Sequence, residues 1–115
     1  MSNTKQLQDL KTLTDMVFSV RSAEAQAISA RYAELRAQLE QLAVQESIAQ
    51  DRFSEDIQLR LSRTDILWQT WLGQQKKALN MELARVAVEK EQQMQGVRLA
   101  FGRKEVAAQL ARQTS

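Results

Sequence analysis

In 115 residues this chain has no proline and only three glycines, Gly73, Gly96 and Gly102. Those two residue types mark most turns and loops, so the backbone has few places to reverse sharply. Alanine, glutamine, leucine, glutamate and arginine dominate the rest, and all five lose little side-chain freedom on entering a helix. A chain of this length holds one domain. Only 5% of it is aromatic, so the large side chains suit a narrow seam better than a broad core. Such composition with helical periodicity predicts a coiled coil or long helix.

The periodicity is there. Leu7, Leu10, Leu13, Val17 and Val20 fall three and four residues apart. The stripe weakens at Glu24 and resumes at Ile28, Tyr32, Leu35, Leu39 and Leu42. Such steps keep side chains on one helix face, and a heptad seam wants a partner helix. Arg31, Glu34, Arg36 and Glu40 fill outer positions and read as a solvated face. The partner is supplied by Leu67, Trp68, Trp71 and Leu72, then Leu79, Leu83 and Val86, then Val97, Phe101 and Leu110. This second seam crosses Lys90 and Gln93, polar positions of the kind that fix register or oligomeric state at a cost in stability.

The expected fold is therefore all-α: a long antiparallel helical hairpin, a coiled coil, forming a single domain over 1–115. The first helix spans about 5–48 and the second ends near 112. The preferred turn is 49–54, where Ser54 followed by Glu55 and Asp56 reads as an N-cap with acids in the first turn. The alternative is 62–65, around Thr64 and Asp65. The seam closes within a monomeric hairpin or, if the chains pair, within a homodimer.

Much chemistry is excluded. The chain has neither cysteine nor histidine, so disulfides, the usual zinc and haem ligands and nucleophile–base pairs of the Ser-His or Cys-His kind are absent. Carboxylate metal sites in helix bundles normally carry Glu-x-x-His, which this chain cannot form. No Gly-rich phosphate loop is present. We expect no catalytic, cofactor or metal site. The 16 basic and 14 acidic residues are interleaved, which disfavours nucleic acid as a partner. No apolar run approaches a membrane span and the N-terminus lacks a signal-peptide core, so a cytoplasmic location is expected.

Two features point to protein partners. Trp68 and Trp71 lie three residues apart, on one helix face, followed by Leu72. They serve either as a plug over Leu35 and Leu39 or as an exposed anchor, since aromatic residues are enriched among binding hot spots. From residue 71 onward eight basic residues stand against four acidic ones, with Arg98, Arg103 and Lys104 as the candidate docking cations. The bland reading is a helix with basic residues near its C-terminus, where the dipole favours them. Trp71-Leu72-Gly73 also matches the Trp-x-Gly signature of small secreted hairpins of the WXG type, in which the motif occupies the hairpin turn.

The segment from Leu67-Trp68-Gln69-Thr70-Trp71-Leu72 to Leu110 resembles the FliJ family of flagellar export proteins and its YscO-type injectisome relatives. An aromatic-aliphatic group, a glutamine-spaced helix and the ending Arg98-Leu99-Ala100-Phe101-Gly102-Arg103-Lys104, then Leu110, carry the likeness. The resemblance implies a stalk and escort in type III protein export, with the export ATPase, the export gate and substrate chaperones as partners. A self-associating structural coiled coil and a WXG-type secreted hairpin are the alternatives.

Overall fold

The computed structural model describes residues 2–55 and 63–114, and both stretches are helical throughout. Helix α1 is Ser2–Glu55, 54 residues, and helix α2 is Arg63–Thr114, 52 residues. The fold is all-α, a hairpin of two long antiparallel helices.

Local chemistry favours these long helices. Hydroxyls that compete with a helix elsewhere are absorbed by it here: Thr12 donates to the Gln8 carbonyl at 3.0 Å, and Thr70 to that of Ile66 at 2.9 Å. Lys11–Asp15 at 3.2 Å and Arg31–Glu34 at 3.3 Å are ion pairs one turn apart. All three glycines lie inside α2 with negative φ.

The turn expected at 49–54 is not there, because α1 continues through it to Glu55. Ser54 is not an N-cap; its hydroxyl donates backward to the Asp51 carbonyl at 3.1 Å, as a serine does inside a helix. Without glycine or proline, nothing in that stretch stops the helix. Asp56 and residue 62 of the alternative turn lie outside the described residues. Asp65 sits in the first turn of α2, where the helix dipole favours a carboxylate.

The two helices form two compact units, one spanning Arg31–Ala87 and the other combining the residues up to Ala30 with those from Val88 on. In the Arg31–Ala87 unit the seam is rich in large side chains. Tyr32, Leu35, Leu39 and Leu42 of α1 and Leu72, Leu79, Leu83 and Val86 of α2 are buried or half-buried. Leu35, Leu72 and Val86 are the largest fully buried side chains. Full burial of such a residue contributes about 1.5–3 kcal/mol. An ion pair between Lys76 and Glu46 joins the helices and marks their register.

The other unit is built differently. Its buried residues are Ala25, Ala100, Ala107 and Ala111. Half-buried beside them are the larger Leu7, Phe18, Ile28, Met94 and Val97, together with Lys11, Thr14, Ser22, Gln93 and Lys104. Phe18 meets Phe101 with ring centroids 5.7 Å apart and planes tilted by 55°. Small seam residues allow close helix approach, because interaxial distance follows the side chains at the contact. This overturns part of the expected seam. Leu7 is half-buried, but Leu10, Leu13, Val17 and Val20 are exposed.

Candidate docking surfaces

The tryptophan cluster lies near the start of α2, in the Arg31–Ala87 unit. The Trp68 and Trp71 rings stack with centroids 5.2 Å apart and an interplanar angle of 26°. The Lys76–Glu46 register puts Trp68 two turns beyond that pair, so it shares a groove with Gln45, Ile48, Ala49 and Arg52. It does not pack over Leu35 and Leu39, which fall at the level of Leu83 and Val86 in that register. The Trp68 indole N–H is buried without an acceptor among the described residues. Trp71 is 42% exposed, while its neighbour Leu72 is 2% exposed. Leu72, expected among the partner-facing residues, is therefore a seam residue whose surface is already covered within the hairpin. Trp71-Leu72-Gly73 lies within α2 and not in a connection between helices.

The three C-terminal cations do not share one face. Arg98 and Arg103 line an open groove on the residues 2–30 and 88–114 unit. Arg98 is paired with Glu91 at 3.1 Å, whereas Arg103 makes no ion pair among the described residues. Lys104 turns into the seam, with its ammonium 4.7 Å from the centroid of the Phe18 ring. A cation over an aromatic face is attracted by the ring quadrupole, so Lys104 has a structural role that the sequence reading missed.

The largest feature not singled out from sequence is apolar. On α1, Leu10, Leu13, Met16, Val17 and Val20 are exposed; on α2, so are Leu99, Val106 and Leu110. Those of α1 recur at steps of three and four, a second heptad stripe beside the buried seam. The stripes of the two helices flank the same side. Leu10 of α1 lines one groove with Leu99, Gly102 and Val106 of α2, and Leu13 and Val17 line the next with Ala100 and Arg103. The first of these grooves has a volume of about 540 Å³. In the Arg31–Ala87 unit the exposed large apolar residues are Val44, Ile48, Ile66, Leu67, Trp71 and Met81. Single exposed apolar residues are ordinary, but contiguous patches mark interaction surfaces.

Surface electrostatics are mild. Glu82 has its carboxyl held below the usual range, chiefly by the hydrogen bonds from the Arg85 guanidinium and further by the charges of Arg85 and Arg31. Among the described residues no helix is long and apolar enough to cross a membrane. No known protein family, curated relative or solved structure matches this chain.

Proposed function

We propose that this chain is a non-enzymatic coiled-coil adaptor that docks other proteins along its helices. The observation that carries the reading is the distribution of apolar residues in the unit that contains both chain ends. Its fully buried positions among the described residues are all alanine, while leucines, valines and a methionine line the outside. A hairpin that only had to hold itself together would place its large apolar residues in the seam, as the Arg31–Ala87 unit does.

Within that reading, the resemblance of residues 67–110 to the FliJ and YscO type makes a cytoplasmic stalk and escort of a type III export apparatus the particular setting. The export ATPase, the export gate and substrate chaperones are the proposed partners. The stacked Trp68 and Trp71, with Trp71 exposed, offer a second anchor of the aromatic kind that dominates protein interfaces.

Titration calorimetry of the purified chain against a purified export ATPase and the cytoplasmic part of its gate tests this setting. Saturable binding that W68A/W71A weakens, with helical content retained, is the expected result. Absence of binding to both partners contradicts the export setting.

A further inference from the structure

The apolar face of the end-containing unit also indicates what covers it. It runs from Leu10 to Val20 on α1 and from Leu99 to Leu110 on α2. At the helical rise this is roughly 15 Å, about three turns. It follows the grooves between α1 and α2, the position in which a third helix packs along two. Among the described residues, the charged side chains lining the two grooves on this face are Arg98 and Arg103. Farther along α1, Arg21 and Glu24 line the face too, already paired with each other at 3.7 Å.

We propose that this face takes a single amphipathic helix of another protein whose apolar stripe is edged by carboxylates. The inference rests on the adaptor reading above and names the partner's chemistry. Charge decides between this occupant and a second copy of the chain. Two copies packed through this face bring two Arg103 guanidiniums without ion pairs among the described residues into one interface, while the carboxylates Glu24 and Glu91 are already held by Arg21 and Arg98. An acidic helix places its carboxylates against Arg103, which has no ion pair among the described residues, and against Arg98 at the rim. Like charge across an interface penalises the wrong partner, and complementary charge selects the right one.

The test uses the full chain and two synthetic helical peptides of about four turns. Both carry the same leucine stripe, flanked by glutamates in one and by lysines in the other. We expect the glutamate peptide to bind about tenfold more tightly or better, and R98E/R103E to reverse the preference. V17E/V106E, at two exposed positions, should abolish binding of both peptides with an unchanged helical circular dichroism spectrum. Equal binding of the two peptides, or binding indifferent to V17E/V106E, overturns the proposal. So does a solution mass of two chains that V17E/V106E returns to one, because the face then belongs to a second copy. The export setting fails separately, by absence of binding of the parent chain to either export partner, whereas export partners that bind V17E/V106E as well as the parent remove only this face.

Discussion

Val106 and Ala107 are neighbours on α2 with opposite environments: the valine is 57% exposed and the alanine 1% exposed. The smaller apolar side chain is in the seam and the larger one outside. The same inversion occurs on α1, where Ala25 is buried and Val20 is exposed.

That inversion predicts an asymmetric response to substitution. Ala107→Leu forces extra methylenes into a closed seam and should destabilise by about 1–3 kcal/mol. Val106→Ser changes a solvated position and should stay within about 0.5 kcal/mol of the parent. Urea unfolding followed by circular dichroism checks both. Equal effects would mean that the alanine seam is not closed.

Leu35 anchors the other unit and is 1% exposed. Leu35→Ala leaves a cavity among large side chains and should cost about 2–5 kcal/mol. The same urea titration reads it. A loss well below that range would mean the seam collapses around the missing atoms.

The sequence showed the fold class plainly, because helix propensity, the lack of proline and the heptad spacing agree. The seam from Ile28 to Leu42 and the polar positions Lys90 and Gln93 were legible for the same reason. The seam before residue 28 was not. Two heptad registers overlap there, and Leu10, Leu13, Val17 and Val20 outweigh Lys11, Thr14 and Phe18 in any count of apolar residues. Alanines count for little by apolar area, yet they are what let two helices approach. Among the site residues, Trp71, Arg98 and Arg103 are exposed, whereas Leu72 and Lys104 belong to the seam. Only a helical register, which sequence spacing leaves ambiguous, separates these groups.

Gly73 sits inside α2, and a Cβ added there would meet nothing within 4 Å. Gly73→Ala should therefore stabilise by about 0.5–1 kcal/mol through helix propensity and a less flexible unfolded chain. Thermal unfolding gives the sign: the midpoint should rise.

Glu82 supplies a pH prediction. Its folded-state pKa is depressed by the hydrogen bonds from Arg85, so the stability linked to it is present above the unfolded-state value and is lost as pH falls through the folded one. NMR titration of the Glu82 side chain should show a midpoint below that of an ordinary glutamate. Arg85→Gln should bring it back toward the ordinary value. A midpoint that Arg85→Gln leaves in place would mean that the Arg85 guanidinium is not the cause.

The free protein presents large apolar side chains of its end-containing unit to solvent while closing its seams with others. The most direct measurement is methyl NMR with a soluble paramagnetic agent. Strong broadening of Leu13, Val20, Leu99 and Val106 methyls, with Leu35, Leu72 and Val86 spared, is the predicted result. Protection of Leu13, Val20, Leu99 and Val106 to the level of Leu35 would contradict the account.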